Sequence, residues 1–471
     1  MALSPQSASA HALIRGLQEG QWTSVELTEH FLSEISKSNP KVHAVPIVVR
    51  EAALAQARAS DLRRKNGKVL GRFDGLPMTV KDALRIRDLR STWGLRMFRN
   101  YVPKSDSKIA ESLRKSGIVF LGRTAIPTAA LNYNCRNQVY AECVNPFDST
   151  RTPGGSSGGA AAALAMGMTP LELGSDLGGS IRYPSHCCGV YGLRTTDGLL
   201  PIDDIGPEGA GAACRQMVAF GPMARNRADL DLLLELFTEN LTLPRAICGS
   251  EFGGKLKIAY ANDLMGIPLD SQSKPVFESY IAQLRAKGFE VIETKPPLDF
   301  DLVYQVWGTI VGFEFTNVLP KFLRTGLGKS FAAWWILDRR VGRGPLSDHF
   351  KRGLHASQTE YEKVCAQRAE IYRVLERFFS EYSVWILPTA PSAAFPLKLS
   401  GKEFITENGT FSYTQYVGPY IVPTTVLGTP VLSLPIGKDR NGMPIGAQIF
   451  GPRFADRWLI DVGAKLEATR V

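Results

Sequence analysis

The feature that most restricts the architecture of this chain is an alternation of two hydrophobic periods. Residues 274–288 read KPVFESYIAQLRAKG, an amphipathic helical pattern that stops at a glycine, and FEVIET follows at once as a short apolar strand. SKIAESLRKSG (107–117) followed by IVFLG (118–122) repeats the arrangement. LPMTV (76–80), TPLELG (169–174), LKIAYA (256–261), VWILPT (384–389), PVLSLPIG (430–437) and GAQIF (446–450) are further short strands of buried type. Strands alternating with helices over most of a chain predict an α/β architecture, a mixed sheet with helices on both faces.

Composition narrows the function classes. The 471 residues are 44% hydrophobic and 21% charged, an ordinary globular balance that allows one large domain or two to three smaller ones. Lys and Arg number 55 against 45 Asp and Glu, a formal charge of +10. The basic residues are interleaved with acids, and RASDLRRKNGK (58–68) and LDRRVGRG (337–344) are short, so they read as a solvated helix face and a loop. Nucleic-acid binding is therefore not expected. The cysteines fall at 135, 143, 187, 188, 214, 248 and 365, an odd number without CxxC spacing, which favours reduced thiols. No secretory pattern opens the chain, and the longest apolar run, AAAALAMGM (160–168), is too short to span a bilayer. These features predict a cytoplasmic protein without a membrane partner.

Two glycine-serine runs carry the chemistry. In GSDLGGSIRY (174–183) the N–H groups of Leu177, Gly178, Gly179 and Ser180 can converge on a developing oxyanion, because glycine removes the Cβ atoms from the way. The same run can also be a plain glycine turn. PGGSSGG (153–159) enters an alanine-rich helix and holds Ser156 and Ser157. Six histidines are present, and only His186 lies near these runs in sequence. HExxH and GxxxxGK[ST] are absent, which removes a zinc site and a phosphate loop of those kinds. A lysine is then the candidate base. Lys81 follows the apolar strand LPMTV, where an ammonium is poorly solvated. A salt bridge to its neighbour Asp82 is the competing use of that lysine. The 300–380 segment is helical in pattern and rich in aromatics (Tyr304, Trp307, Phe313, Phe315, Trp334, Trp335), as a core or as the cover of a pocket.

GLPMTVKD, NPFDSTRTPGGSSGG and GSDLGGSIRYPSHCCGVYGLRTT, in that order, resemble the amidase signature family of serine hydrolases. The opening AHALIRGLQEGQWTSVELTEHFLSEISKSNPKVHA and the closing LGTPVLSLPIGKDRNGMPIGAQIFGPRFADRWLI extend the likeness to nearly the whole chain, weakest over 300–385. The resemblance implies one large α/β domain over 1–471, with a mixed, mostly parallel, twisted sheet covered by helices on both faces. It also implies a triad: Ser180 as nucleophile, Ser156 as bridging serine after a cis Gly155–Ser156 peptide, and Lys81 as base. Ser157, Asp176 and Arg182 match supporting positions, and the amides of residues 177–180 match the oxyanion hole. NYNCRN (132–137) resembles the corresponding stretch of fatty acid amide hydrolases, so Ala130, Leu131, Asn132 and Tyr133 are the expected substrate-binding residues. Arg194 and Thr195 in GLRTT, and TTVLGTP without its common asparagine, depart from the family pattern.

The activity so implied is cofactor-free and metal-free hydrolysis of amide C–N bonds through an acyl-enzyme, with carbamates and esters also feasible. The 300–385 region is expected to cover the substrate pocket. The expected partner is a small amide, carbamate or ester, with no nucleic acid and a homodimer left open. The alternatives are the glutaminase subunit of a tRNA-dependent amidotransferase, and a non-catalytic basic nucleic-acid-binding protein on the same scaffold.

Overall fold

A computed structural model describes residues 5–202, 215–239, 241, 256–319, 323–333 and 344–468. Cys214, Cys248, Trp334, Trp335 and most of LDRRVGRG lie outside the described residues.

Two helices open the structure, Ala10–Gln18 and Ser24–Val42. The second starts at a reciprocal cap: Thr23 Oγ1 accepts from Glu26 N–H, and Glu26 Oε2 accepts from Thr23 N–H at 2.7 Å. Helix Arg50–Lys65 follows, beside a small sheet of three strands, β1 (Ile47–Val48), β2 (Pro77–Lys81) and β3 (Val119–Thr124). Its order is β1-β3-β2, with β2 and β3 parallel and joined through the helix Lys108–Lys115. Every residue of β2 and β3 is buried, as a strand covered on both faces requires.

The main sheet has eight strands in the order β4-β6-β5-β12-β13-β9-β7-β8. They are β4 (Leu171–Asp176), β5 (Tyr191–Arg194), β6 (Ala219–Ala224), β7 (Lys257–Tyr260), β8 (Glu290–Glu293), β9 (Val384–Pro388), β12 (Val431–Lys438) and β13 (Pro444–Phe450). A separate antiparallel hairpin, β10 (Phe404–Thr406) and β11 (Gly409–Phe411), stands near the end of the chain. The α/β class and the mixed sheet are as expected. The expected predominance of parallel pairing is not found: only β9–β7–β8 is parallel, and every other neighbour pair in the main sheet is antiparallel. The physical reason is connection length. Parallel neighbours need a crossover such as the helix Ser273–Ala286 between β7 and β8, whereas β12 and β13 are joined directly through residues 439–443.

Helices cover both faces of this sheet. Ser433 of β12 pairs with Gly192 of β5, and Pro435 pairs with Gly446 of β13. On that face the helix Arg182–Cys188 lies close enough that a Cβ on Gly192 would meet Ser185 Oγ at 2.5 Å. Leu432 points to the opposite face, where its side chain abuts Gly463 of the helix Asp456–Leu466. Between the layers lies one continuous apolar core, in which Trp385, Tyr183 and Tyr280 are among the largest fully buried side chains.

The tightest approach is at Gly221 of β6, where a Cβ would stand 1.7 Å from the carbonyl oxygen of Leu193. Backbone cannot yield there as a flexible side chain can, so Gly221→Ala should lower stability by about 3 kcal/mol. A lower urea midpoint with an unchanged slope is the expected result; an unchanged midpoint would refute it.

Candidate active site

Four loops meet at the C-terminal ends of β2 and β4. Lys81 is the last residue of β2 and is only 1% exposed. Its Nζ lies 2.8 Å from Ser156 Oγ, 2.8 Å from Ser157 Oγ, 3.0 Å from Ser175 Oγ and 3.3 Å from the Ser175 carbonyl oxygen. All four partners are neutral. Burial pushes the lysine down to about 7, against the pull of Cys135, Asp176 and Glu172. The competing salt bridge to Asp82 does not form. The Asp82 carboxylate turns to Thr92, accepting from its N–H at 2.9 Å and its hydroxyl at 2.5 Å.

Ser156 follows a cis Gly155–Ser156 peptide and precedes the helix Gly158–Ala165. The two serine loops are tied where Ser157 N–H donates to the Ser180 carbonyl at 3.1 Å. Ser180 is half-buried, and among the described residues its hydroxyl has no hydrogen-bond partner. It opens onto a narrow cavity of about 80 Å³ lined also by Ala130, Leu131, Asn132, Tyr133, Leu177 and Gly178. The far wall comes from Trp307 and Val311 of the helix Phe300–Phe315, and from Leu346 and Phe350 of the helix Pro345–His355. Among the described residues no lining side chain is charged. All four expected substrate-binding positions thus face the same cavity as Ser180.

Asp176 and Arg182 hold the glycine loop from beneath. Both side chains are wholly buried, with Arg182 Nη2 and Nε at 2.9 and 3.0 Å from the carboxylate. Burial works against the Asp176 charge, but the Arg182 guanidinium outweighs it and keeps the carboxyl well below the usual carboxylate range. Arg182 also donates to Thr424 Oγ1 (2.7 Å), Thr425 Oγ1 (2.7 Å) and Gln448 Oε1 (2.9 Å), fastening the loop to the distant end of the chain. Asp176 accepts from the N–H groups of Gly179 (2.8 Å) and Ile181 (3.0 Å). The Gly179 N–H is thus engaged by Asp176, whereas those of Leu177, Gly178 and Ser180 carry no hydrogen bond among the described residues. Gly179 itself has φ +100°, and a Cβ there would strike Ile421 at 2.6 Å.

The sequence profile of the Amidase family matches residues 26–460. The chain belongs to the amidase family. A glutamyl-tRNA(Gln) amidotransferase subunit of Streptomyces coelicolor is 30% identical over 97% of this chain and 94% of its own length. A crystal structure of an amidase superposes with a TM-score of 0.81 at 25% identity, covering 98% of this chain and 99% of that one. A 6-aminohexanoate cyclic dimer hydrolase, 23% identical, shares the fold with a TM-score of 0.79 over 98% of this chain and 97% of its own. These relatives overturn the expectation of a small-molecule partner and no nucleic acid. The curated relatives are named as subunits of an enzyme and for a tRNA, over almost their full length.

Two contacts in this amidase-family chain go beyond the sequence reading, which named Trp307 only among the aromatics of a core or cover. Trp307 Nε1 donates to the Leu177 carbonyl at 2.9 Å, so the aromatic helix reaches the glycine loop itself. The only sequence signal is the density of aromatics after residue 300. Ser175 contributes two contacts to Lys81, and nothing in the sequence marks it beyond its place between motifs. His186, the one histidine near the motifs, is not at the cavity. Its Nδ1 accepts from Gly446 N–H at 2.9 Å, its Nε2 lies 3.0 Å from the Ser392 carbonyl, and burial pushes it down to about 4. Among the described residues no helix is long and apolar enough to cross a membrane.

Removing Arg182 would leave the Asp176 carboxylate buried without its partner. Arg182→Met should therefore destabilise the fold by about 3–5 kcal/mol at neutral pH. The Asp176 pKa is depressed in the folded state, so the ion pair's contribution is present above the ordinary carboxylate range and lost as the pH falls through the folded value. The penalty of Arg182→Met should shrink on acidification, because the lone carboxyl can then protonate. Urea titrations at pH 7 and pH 4 would check this, and a penalty that grew at acid pH would reject it.

Proposed function

We propose that this chain cleaves amide C–N bonds, with Ser180 as nucleophile, Ser156 as proton relay and Lys81 as general base. The observation that supports the reading is the setting of the lysine: buried, ringed by neutral oxygens and 2.8 Å from Ser156 Oγ. An amine in that setting loses its proton near neutral pH and can act as a base. Ser180 Oγ attacks the carbonyl carbon, its proton passes to Ser156 Oγ, and the Ser156 proton passes to Lys81 Nζ. The N–H groups of Leu177, Gly178 and Ser180 receive the oxyanion. Collapse of the adduct breaks the C–N bond, and the departing amine takes the proton back from Lys81 through Ser156. Water, deprotonated along the same relay, then frees the acid from Ser180. Esters and carbamates fit the same scheme.

The cavity wall favours an apolar acyl group, since Leu131, Trp307, Val311, Leu346 and Phe350 line it and, among the described residues, no charged side chain does. In this reading the 300–385 region is the cover that sets acyl preference. A second reading has its own support. The curated relatives are amidotransferase subunits, and on that reading the chain releases ammonia from glutamine within a larger assembly. A glutamine carboxylate would then need a cationic partner, which none of the described lining residues supplies.

The two readings part on a panel of primary amides. An apolar acyl amide should exceed glutamine in kcat/KM by about tenfold or more, as one poorly matched group in a pocket is worth about 1–3 kcal/mol. Preference for glutamine would hand the function to the amidotransferase reading. Ser180→Ala should stay folded and lose turnover by about 10⁴-fold or more, and a fluorophosphonate should label Ser180. Lys81→Ala should lower kcat/KM for an anilide by about 10²–10⁴ and for the matched nitrophenyl ester by less, because only the amine must leave with a proton. Equal losses for both substrates would remove Lys81 from the relay.

A further inference from the structure

One buried carboxyl takes no part in the scheme above. Glu172 lies on β4, the strand that also carries Ser175 and Asp176, and it is wholly buried. One of its oxygens accepts from the Leu173 N–H at 2.9 Å, and the other, Oε1, has no hydrogen-bond partner. The hydroxyls of Thr79 on β2 and Thr124 on β3 stand beside the carboxyl and favour its charge. Both threonines are buried, and each Oγ1 likewise lacks a partner in full hydrogen-bond geometry. Three polar oxygens are thus gathered in the interior with their bonding incomplete.

The charged groups around this cluster are few. Lys81 faces it from β2 and Arg123 from β3, and among the described residues neither forms an ion pair with it. Arg123 is already committed, donating to the carbonyls of Leu84 (2.6 Å), Leu89 (3.1 Å) and Arg90 (3.2 Å) and facing Asp82, Tyr140 and Asp106. Lys81 also faces Asp176 and Cys135. On β6 the residue opposite Glu172 is Met223, and the helix Gly158–Ala165 brings no titratable side chain. An ionised carboxylate held by one N–H and no counter-ion is costly in an interior. A protonated one is suited to the site, because its O–H can complete a bond to a threonine oxygen.

We propose that Glu172 is a positioning residue that acts through Lys81: the two side chains compete for one proton, and the carboxyl sets the pH at which the lysine becomes a free amine. The inference rests on the reading of Lys81 as base. Burial brings the two groups to the same range from opposite sides, the carboxyl up to about 7 and the lysine down to about 7.

The fully protonated pair, carboxylic acid with ammonium, is inactive. Loss of one proton gives two forms of equal net charge: carboxylate with ammonium, which is inactive, and carboxylic acid with free amine, which is active. Loss of the second proton leaves carboxylate with free amine, also active. Activity in the one-proton state is therefore held down by the share of the ion-paired form, and the protons come off in steps that belong to the pair. Glutamine at position 172 abolishes the ion-paired form.

The test is kcat/KM against pH for wild type, Glu172→Gln and Lys81→Met on one activated ester. Wild type should rise in two steps. Glu172→Gln should rise in one, with its half-rise at lower pH by about one unit, the coupling at which two sites titrate as a pair. Superimposable single-step limbs would overturn the proposal. A Lys81→Met enzyme that kept the wild-type limb would instead overturn the base assignment beneath it. A second measurement does not depend on how Glu172→Gln folds. Infrared titration with 13C-labelled glutamate separates the buried Glu172 carboxyl from Asp82 and Asp456, and Glu314, buried elsewhere, serves as internal control. Removing the lysine should move the Glu172 band to higher pH and leave that of Glu314 in place. A band that stayed in place would overturn the proposal.

Discussion

The ion pair between Asp176 and Arg182 is the constraint on which the rest of the site depends. Neither side chain touches water, so each is tolerable only because the other is there. Its hydrogen bonds define the course of residues 177–181, decide which loop amides remain open, and tie that loop to Thr424, Thr425 and Gln448. A second buried network, Arg194 with Asp197 and Arg368 with Asp197, fixes the neighbouring strand end to the helix Gln358–Glu381. The departure GLRTT is thereby accounted for: Arg194 spends its charge on structure and lies 3.8 Å from Asp176.

The lysine is governed by the opposite logic. Where the arginines are matched with carboxylates, Lys81 is matched with hydroxyls and a carbonyl. Hydroxyls can donate as well as accept, so the surroundings satisfy a free amine as readily as an ammonium. On the proposed relay, cations that must stay charged are placed beside anions and the one that must change beside neutral oxygens, which separates scaffold from chemistry within a few residues of chain.

Much of this was legible before the fold was known. LPMTV, IVFLG, VWILPT and GAQIF fall within or beside β2, β3, β9 and β13, because continuous apolar runs have few other uses at that length. β5 and β6 were not anticipated: YGLR and AFGPMA carry glycine and proline, which argue against a strand unless, as at Gly221, a neighbouring backbone needs the room. Parallel pairing was overestimated because strand direction depends on connections that pattern does not reveal. At the site, Lys81, Ser156, Ser157, Asp176 and Ser180 stood in dense motifs and were found together. Glu172 was not found, and Trp307 was named only among the aromatics of a core or pocket cover, since an aromatic in a helix and a glutamate in a strand gain meaning only from what folds against them. The partner expectation failed for a different reason: it rested on how basic residues are spread along the chain, which does not show what a folded surface meets, and the names of the relatives overturned it.

The hydrogen bond from Trp307 to the Leu177 carbonyl has a consequence for how such a chain can diverge. The indole both walls the cavity and steadies the Leu177–Gly178 peptide, whose N–H points away from its carbonyl. In the proposed scheme, enlarging the cavity at residue 307 therefore also loosens the Gly178 N–H assigned to the oxyanion. Breadth of specificity and rate are coupled at that position, and selection for a bulkier acyl group there would carry a built-in loss of turnover. Val311, Leu346 and Phe350 line the same cavity, and no such hydrogen bond to the glycine loop is made from them. Laboratory evolution that spares 307 and explores those three positions would meet less epistasis, and lineages that changed 307 would need a second substitution to hold the peptide.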